Sequence, residues 1–421
     1  MYRLRPVTEK KLEELGMTKL FYEIEMPLCR VLADMQEQGF MIDKAALVSF
    51  GESLTGTIAQ LESAIYEHAG CEFNINSPKQ LGEVLFDKLM LPAGKKTKTG
   101  WSTNADVLEK LRGKHPIVNM ILDYRMLTKL KSTYADGLLK LIDPDGRIRT
   151  KFQMTVTATG RLSSTDPNLQ NIPIRKELGS HIREMFIASK GNVLVDADYS
   201  QIELRLLAHI SGDEHMRAAF LSGEDIHTVT ASQVFNTPVD EVTSLQRSRA
   251  KAVNFGIVYG ISPWSLAQDI GVTQGEAKAY MDAYLNKYDG VRDYMKSIVE
   301  KAKQDGYVTT IYSRRRDLPE LKSSNFNTRS FGERVALNMP IQGTAADIIK
   351  LAMVNVYNRL KAERLKAKLI LQVHDELICE CPEAEAQTVA DILREEMSGA
   401  AKLSVPLTVD AKIGHSWAEA H

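Results

Sequence analysis

Two aspartates, Asp198 and Asp375, each follow a short run of strand-forming apolar residues. The runs occupy positions 193–195 and 369–371, so each carboxylate is predicted at or just past the end of a strand. A hard divalent cation such as Mg²⁺ prefers one or two protein carboxylates, with water and substrate phosphates as its other ligands. Two such ions can hold the attacking and leaving oxygens of phosphoryl transfer. The aspartates therefore indicate a candidate two-metal site.

Simpler interpretations of these residues stay open. Aspartate is common in turns where strands end, so either residue could be purely structural. Asp196 lies two residues before Asp198 on the same face of the predicted strand, and periodicity does not choose between the two carboxylates.

A predicted helix over 246–260 carries two cations and two aromatic rings at four-residue steps: Arg247, Lys251, Phe255 and Tyr259. This spacing places them along one slowly turning face. The cations suit a triphosphate, and the rings suit a sugar and a base. An ordinary amphipathic helix, which exposes Arg and Lys and buries aromatics, is the alternative. Two glycines near the aromatic end leave room for a close approach.

A second row of polar residues steps by four, namely Arg334, Asn338 and Gln342. One cation and two amides can bond to base edges or phosphates without adding negative charge. Pro340 interrupts this row and favours a bent face.

Two loops add cations that suit phosphate groups. Arg161 follows Gly160 in a hydroxyl-rich loop, where backbone amides and a guanidinium can approach a phosphate together. Lys95, Lys96 and Lys98 occupy a second loop and suit phosphate contacts that do not depend on base sequence. A solvated loop has the same composition.

Glu203 has a simple structural interpretation. Ser200 and Glu203 are spaced as a capping box for a helix predicted over 202–210, in which the glutamate only closes the helix start.

The predicted elements place these side chains on a mixed scaffold. The first third reads as helical hairpins, with Ser77 as an N-cap and Gln80 completing a capping box. Later, a helix is predicted over 345–365, followed by a strand hairpin that carries His374. This order predicts an α+β sheet backed by helices.

The composition limits the class of protein. A chain of 421 residues suffices for two or three compact units, and it contains no run of about 18 apolar residues, so a cytoplasmic protein without a membrane partner is expected. Its four scattered cysteines are interpreted as buried thiols. A net charge of −1 gives no overall nucleic-acid signal, so such contacts have to come from local basic clusters.

Five motifs in order resemble those of family A DNA polymerases, of the bacterial polymerase I type, from about Phe21 to the C-terminus. They are TATGRLSSTDPNLQNIP at 157–173, DYSQIE at 198–203, the row Arg247, Lys251, Phe255 and Tyr259, QGTAADIIK at 342–350, and VHDE at 373–376.

The resemblance implies an α+β fold shaped like a right hand, with an antiparallel-sheet palm, helical fingers and a helical thumb. The implied parts are N-terminal helices leading into the palm (1–43), the thumb (44–140), a first part of the palm (141–204), the fingers (205–337) and a second part of the palm (338–421).

It also implies roles for individual residues. Asp198, Asp375 and the backbone carbonyl of Tyr199 would hold two Mg²⁺ ions, for which Mn²⁺ can substitute, and Asp196 would be a bystander. The nucleotide-binding residues would be Arg247, Lys251 (also catalytic), Phe255, Tyr259, His227, Glu203 and Gln201. The DNA-binding residues would be Arg161, Asn338, Gln342 and His374. The residue patterns described above add Arg334, Lys95, Lys96 and Lys98 to this set.

The implied activity is template-directed addition of deoxynucleotides to a primer 3′ end, in DNA repair and replication, by a monomer in the bacterial cytoplasm near the nucleoid. Full-length relatives place a 3′–5′ exonuclease-like domain, and often a 5′ nuclease, before the polymerase. Here only a short helix precedes it, so no proofreading is expected from this chain. A trimmed sequence and a short gene both remain open.

Three other classes are weighed against this one. A phage-type RNA polymerase shares the aspartates, but the acidic side chain of Glu203 favours a DNA product. A two-metal nuclease would have no use for the helix with Arg247 and Tyr259. A non-catalytic DNA-binding remnant would tolerate the loss of an aspartate, and both aspartates are present.

Overall fold

The structure, a computed structural model, describes residues 4–92, 96–97, 100–173 and 177–421, with the backbone alone for residues 97 and 177–179. Its helices are α1 (Arg5–Glu14), α2 (Met26–Gln38), α3 (Lys44–Ala69), α4 (Pro78–Gly82), α5 (Ala105–Lys110), α6 (Pro116–Lys129), α7 (Asp136–Leu139), α8 (Glu177–Glu184), α9 (Ile202–Ser211), α10 (Glu214–Ser222), α11 (Ile226–Phe235), α12 (Ser244–Val258), α13 (Pro263–Ile270), α14 (Gln274–Lys287), α15 (Asp289–Asp305), α16 (Phe326–Ala362), α17 (Ala386–Ser398) and α18 (Trp417–Ala420).

The strands are β1 (Phe40–Met41), β2 (Lys96–Thr97), β3 (Gly100–Trp101), β4 (Arg147–Ile148), β5 (Lys151–Gln153), β6 (Ser163–Thr165), β7 (Asn192–Tyr199), β8 (Tyr307–Thr309), β9 (Arg315–Asp317), β10 (Lys368–Val373), β11 (Glu376–Pro382) and β12 (Val409–Gly414).

A four-stranded antiparallel sheet in the order β10–β11–β7–β12 forms the centre of the molecule. Helix α17 packs on β7 and β12, and α16 packs on α17 and α9. The strands β7, β10 and β11 are almost wholly buried, which fits their near-continuous apolar runs. The predicted α+β sheet backed by helices is confirmed.

Helix starts follow the local signals in most places. Asp43 Oδ1 accepts from the Ala46 amide at 2.9 Å, so it caps the long helix α3. Ser77 caps α4, but the side chain of Gln80 accepts from the Asn74 amide at 2.7 Å instead of returning to the cap. The predicted capping box at Ser77 is therefore wrong, because a preceding loop competes for the glutamine.

Helix α16 is much longer than predicted. It begins at Phe326, not near 345, and continues for 37 residues with Pro340 inside it. Proline removes one backbone donor, but the surrounding segment is buried and its packing outweighs that loss. Arg334, Asn338 and Gln342 therefore share a single helix.

The distal helices of the first third have a hydrophobic core of their own. Ile65, Leu85, Ile117 and Ile121 are buried in it, whereas Leu47 at the start of α3 belongs to the main core. Helix α3 thus joins an outlying helical unit to the centre of the molecule.

The cysteines are only partly as predicted. Cys379 and Cys381 are buried in β11, but Cys29 and Cys71 are exposed. The interpretation of all four as buried thiols is wrong for the latter pair, because scattered spacing does not reveal whether a residue faces the core or the solvent. Among the described residues, no helix is both long and apolar enough to span a bilayer.

Candidate active site

Asp198 and Asp375 lie at the same end of the central sheet. Asp198 is the last but one residue of β7, and Asp375 stands in the two-residue turn between β10 and β11. The register pairs Asp198 with Glu376, and the Tyr199 amide donates to the Asp375 carbonyl at 3.2 Å. The structure thus brings together the two carboxylates that the sequence places at strand ends.

Two glutamines that the sequence reasoning missed hold this turn. His374 has a left-handed φ of 53°, and Gln372 Nε2 donates to its carbonyl at 2.7 Å. Gln170 Nε2 donates in turn to Gln372 Oε1 at 3.1 Å. Gln170 stands in the TATGRLSSTDPNLQNIP motif, but no periodicity links residues 202 positions apart. The turn carrying Asp375 is therefore braced from a distant segment.

The two aspartates are electrostatically crowded. Burial, together with repulsion from Asp375, Glu376 and Asp410, raises the pKa of Asp198 to about 8. Burial also raises the pKa of Asp375 to about 6, although its backbone hydrogen bond and Arg161 oppose this. Crowded carboxylates of this kind fit a divalent cation, whose charge would offset the repulsion.

Individual atoms agree with that fit. Asp198 Oδ1 is buried without a hydrogen-bond partner among the described residues. The Tyr199 side chain is buried, and its hydroxyl donates to the Met397 carbonyl at 2.6 Å, so its ring is held away from the aspartates. Tyr199 can therefore contribute only backbone to a metal site.

Asp196 faces different neighbours. Its side chain is buried close to the carboxylate of Glu376 and the imidazole of His421. Burial raises the pKa of Asp196 to about 7 and that of Glu376 to about 8. Glu376 belongs to the VHDE motif, but sequence reasoning gave it no role.

Glu203 is held by two side chains from other segments. Arg161 Nη2 donates to Glu203 Oε1 at 2.6 Å, and the Tyr259 hydroxyl donates to Oε2 at 2.9 Å. With the Gln342 amide oxygen turned toward the guanidinium, Arg161 Nη1 also donates to it at 3.0 Å. Burial and the nearby Glu203 raise the pKa of Tyr259 to about 12, so the phenol stays a donor at neutral pH.

The capping-box interpretation of Glu203 is therefore wrong. Helix α9 begins after Gln201, which has a left-handed φ of 58° and no side-chain cap. The carboxylate of Glu203 points to Arg161 and Tyr259 instead, because a charged guanidinium is a strong partner and the Ser200 amide already donates to the Thr408 carbonyl at 2.9 Å.

The predicted row on α12 exists, and Thr243 and Gln246 start the helix with a full capping box. Lys251 is exposed and makes no ion pair with any described residue. Arg247 instead bonds to Asp225, with Nη2 2.5 Å from Oδ2. Tyr259 is the C-cap residue that follows the helix.

The side chain of His227 is buried, whereas a residue that binds a phosphate is expected to be accessible. It is 2% exposed, and its Nδ1 lies 3.1 Å from Asn254 Nδ2. Burial, together with the charges of Arg247 and Lys251, lowers its pKa to about 4, so the ring is neutral at pH 7. Its ring centroid lies 5.8 Å from that of Phe255.

The two glycines at the end of α12 and just after it are needed because other parts of the chain pack closely against them. A Cβ on Gly256 would lie 2.6 Å from the Ile261 side chain, and Gly260, with a φ of 64°, backs onto Arg334. An open cleft of 810 Å³ lies here between α12 and α16, lined by Phe255 and Tyr259 among others.

The remaining predicted DNA contacts are spread over several surfaces. Arg334 and His374 are exposed, and Asn338 Nδ2 is buried without a partner among the described residues. Lys96 is exposed in the outlying β2–β3 hairpin, with Nζ 4.8 Å above the Trp101 ring. Lys95 and Lys98 lie outside the described residues.

The family model for DNA polymerase family A matches residues 44–419. The chain belongs to this family. It is 54% identical to DNA polymerase I of Bacillus subtilis over 419 residues, covering 99% of this chain and 48% of that protein. It is likewise 54% identical to DNA polymerase I of Geobacillus stearothermophilus, covering 96% of this chain and 46% of the relative. The chain spans about half the length of these curated relatives.

A solved structure is similar over nearly the whole chain. It is the POL domain of Pol1 from M. smegmatis in complex with DNA primer-template and dNTP, with a TM-score of 0.94 and 46% identity, covering 98% of this chain and 73% of that one. The right-hand α+β fold implied by the motifs is therefore confirmed. Membership of DNA polymerase family A also argues against the RNA polymerase and nuclease alternatives, and family members use divalent metals.

Proposed function

We propose that this chain is a template-directed DNA polymerase that adds deoxynucleotides to a primer 3′ end, in bacterial DNA repair and replication. The observation that carries the proposal is the placement of Asp198 and Asp375 at one end of the sheet. Nearby in the chain, at the start of α9, Glu203 accepts hydrogen bonds from Arg161 and Tyr259. The similar polymerase domain bound to DNA primer-template and dNTP supports it.

Asp198, Asp375 and the Tyr199 carbonyl are proposed to hold two Mg²⁺ ions, with Mn²⁺ as a substitute. When bound, such ions would stabilise the charge that develops on the oxygens of the transferred phosphoryl group. The unpartnered Asp198 Oδ1 and the raised pKa values of both aspartates support this assignment. The protein's own contribution is to fix Asp198 on β7 and Asp375 on the braced turn described above.

The α12 face is proposed to bind the incoming nucleotide. Lys251 is an exposed cation free to meet a triphosphate and to act in catalysis, whereas Arg247 would first have to leave Asp225. Phe255 would lie by the sugar, and Tyr259 near the templating position. Burial keeps His227 neutral, so it would reach a phosphate only as a hydrogen-bond donor and not as a cation.

Glu203 and Gln201, at the start of α9, are proposed to border the sugar of the nucleotide. Two partners fix the Glu203 carboxylate, so the space beside the sugar would be closed by a side chain that cannot swing away easily. A 2′-hydroxyl would meet this side chain, which is the proposed reason for a DNA product.

Contacts to primer and template are assigned to the partly exposed pair Arg161 and Gln342, to Asn338, and to the exposed side chains of Arg334 and His374. The lysines Lys95, Lys96 and Lys98 are proposed to hold the duplex through its phosphates. The proposed division of the chain is into a thumb (44–140), fingers (205–337) and a two-part palm (141–204 and 338–421). We also propose that the protein is a monomer and acts in the cytoplasm.

Primer extension tests the proposal directly. A labelled primer on a DNA template is incubated with Mg²⁺ and either deoxynucleotides or ribonucleotides in separate reactions. Extension with deoxynucleotides alone is expected. Extension only in the ribonucleotide reaction would instead indicate an RNA polymerase. Shortening of the primer would indicate a nuclease. Binding of the DNA with neither extension nor shortening would indicate a non-catalytic remnant.

A further inference from the structure

A cluster of four charged side chains lies next to the loop that carries Arg161. Asp347 and Lys350 belong to α16, Arg314 stands just before β9, and Glu25 stands just before α2. The side chains of Asp347 and Lys350 are wholly buried, and those of Arg314 and Glu25 are 13% and 16% exposed. The proposed function gives none of these four residues a role.

The bonds within this cluster hold the guanidinium of Arg314 in two directions. Its Nε donates to Asp347 Oδ1 at 2.8 Å, and its Nη2 donates to Glu25 Oε1. Lys350 Nζ also donates to Glu25 Oε1 at 2.7 Å, and the Thr310 hydroxyl donates to Asp347 Oδ2 at 2.7 Å. A lysine in place of Arg314 would keep the charge, but only a guanidinium can bond to both carboxylates with its plane fixed.

Stability alone is a weak reason for such a cluster. Removing charges from water costs free energy that their mutual attraction often fails to offset, and apolar residues of similar volume are often as stable. Apolar residues do not, however, hold a side chain in one orientation through directed bonds. The fixed orientation of Arg314 is therefore the property of the cluster that calls for a function.

The guanidinium of Arg314 lies directly against the backbone of Gly160. A Cβ on Gly160 would lie 2.4 Å from Arg314 Nε and 2.7 Å from its Cζ, so a side chain here would displace either Arg314 or the loop. Gly160 also has a left-handed φ of 84°, which turns the chain immediately before Arg161. Arg314 therefore packs on the residue whose backbone directs the chain into Arg161.

Helix α16 makes a second contact with the same loop. A Cβ on Gly343 would lie 3.1 Å from the carbonyl oxygen of Thr159, so the helix and the loop are closely packed. Within the loop, the Thr157 hydroxyl donates to the Arg161 carbonyl at 2.6 Å. The loop is thus held by α16, by its own hydrogen bond and by Arg314.

We propose that Arg314 is a positioning residue that acts through Gly160 to direct the Arg161 side chain toward the primer end. The inference rests on the proposed function, in which Arg161 contacts the primer. Arg161 also donates to Glu203 at 2.6 Å, so a displaced loop would loosen the carboxylate proposed to border the sugar. Arg314 itself would act only through the loop and would not touch the substrate.

A purely structural role of the cluster is the alternative explanation. Changing Arg314 would then lower stability, and any loss of activity would be the same with or without the Arg161 side chain. A positioning role predicts instead that Arg314 matters only while Arg161 has a guanidinium to direct. The two substitutions should therefore not be additive.

A double-mutant cycle separates the two explanations. Arg314→Lys, which keeps the charge, is combined with Arg161→Ala. The maximal rate of single-nucleotide addition to a primer-template with Mg²⁺, and the deoxynucleotide concentration at half that rate, are measured below the melting temperature of every variant. Arg314→Lys is expected to lower the maximal rate by about tenfold or more when Arg161 is present, and by less than about twofold in Arg161→Ala. The deoxynucleotide concentration at half the maximal rate should change little, because the primer and not the nucleotide is misplaced.

Gly160→Ala disturbs the same contact from the loop without changing any charge. Its added Cβ would meet Arg314, whereas the Cβ of Gly191→Ala, at a similar φ of 83°, would meet no described atom within 4 Å. Gly160→Ala is expected to repeat the loss of rate and its dependence on Arg161, while Gly191→Ala extends primers like wild type. This pair keeps the proposal testable if Arg314→Lys fails to fold.

Arg147→Lys is the control for loss of a buried guanidinium elsewhere in the fold. The Arg147 side chain is 10% exposed and pairs with Glu380 at 2.8 Å. This variant should lower the melting temperature and leave the rate of nucleotide addition unchanged.

The outcomes distinguish failure of the inference from failure of the proposed function. Equal losses of rate with and without the Arg161 side chain, or wild-type rates in Arg314→Lys and Gly160→Ala, would overturn the positioning role while the polymerase activity stands. A wild-type rate in Arg161→Ala would remove the proposed primer contact and the inference with it. Absence of extension by the wild-type protein would overturn the proposed function itself, and this inference with it.

Discussion

The Tyr259 hydroxyl donates to the Glu203 carboxylate at 2.9 Å, which joins the end of α12 to the beginning of α9. The two residues are 56 positions apart, and Arg161 holds the other oxygen of the same carboxylate. The residue proposed to border the sugar is therefore fixed from two sides.

Replacing Glu203 by Ala is expected to relax the exclusion of ribonucleotides by roughly tenfold or more, because the bulk beside the sugar is lost. The comparison is the ratio of kcat/KM for deoxynucleotides and ribonucleotides in wild type and variant. Glu203→Gln, which keeps the bulk, and Tyr259→Phe, which removes only one hydrogen bond, should retain exclusion. Unchanged selectivity in Glu203→Ala would mean that the sugar binds elsewhere.

Phe255→Tyr is expected to relax rejection of dideoxynucleotides by roughly a hundredfold, because the added hydroxyl can replace a hydrogen bond that a nucleotide without its 3′-hydroxyl has lost. Chain termination is measured against extension in mixtures of both nucleotides. A hydroxyl added at a distance from the sugar, as in Phe235→Tyr at the end of α11, should have no such effect. Equal rejection by wild type and Phe255→Tyr would exclude Phe255 from the sugar site.

Asp198→Asn and Asp375→Asn are each expected to slow extension by roughly 10³-fold or more, since the loss of metal-mediated charge stabilisation amounts to several kcal/mol. Binding of primer-template should persist, because it depends mainly on contacts to DNA phosphates. Asp391→Asn, on the exposed face of α17, serves as the control for loss of a carboxylate. Substantial extension by both site variants would refute the metal assignment.

The raised pKa values predict how stability depends on pH without divalent metal. The folded state holds the Asp198 proton to about pH 8, and the unfolded state releases it near about pH 4. This stabilisation is complete below about pH 4 and is lost as the pH rises through about 8. The melting temperature should therefore fall between pH 5 and 9, less steeply in Asp198→Asn. An equally steep fall in that variant would contradict the prediction.

The basic loop is expected to contribute to duplex affinity without base preference. Changing Lys95, Lys96 and Lys98 together to Ala should weaken DNA binding equally across base sequences. The slope of log affinity against log salt concentration should become less steep by roughly 0.9 for each lost phosphate contact. Fluorescence anisotropy at several salt concentrations measures this. A control triple of exposed lysines, Lys10, Lys11 and Lys19, should leave the slope unchanged. An unaltered slope in the first triple would identify the loop as merely solvated.

Local patterns were sufficient to predict the strand ends that carry Asp198 and Asp375, because a buried strand needs a continuous apolar run and the residue after it is free to be polar. Helix caps are equally local: the bonds by which Asp43 and Thr273 start α3 and α14 each span only three residues. The α+β class followed from the order of these elements.

Contacts between distant segments could not be predicted in the same way. Glu203 has a capping-box spacing with Ser200, yet its partners lie 42 and 56 residues away. The early start of α16 was missed because Pro340 lowers helix propensity, and only burial of the helix outweighs it. The motif of Arg247, Lys251, Phe255 and Tyr259 was recognisable in the sequence. The ion pair between Arg247 and Asp225 is visible only in the structure.

The uninterrupted course of α16 limits how the site can rearrange around a substrate. Arg334 beside the cleft and Gln342 beside Arg161 stand on one helix, about 12 Å apart along its axis. That length is set by the helical rise and cannot change while the backbone hydrogen bonds persist. The proposed template contact at Arg334 and the proposed primer contact at Gln342 would therefore keep a constant separation during any closure on a nucleotide.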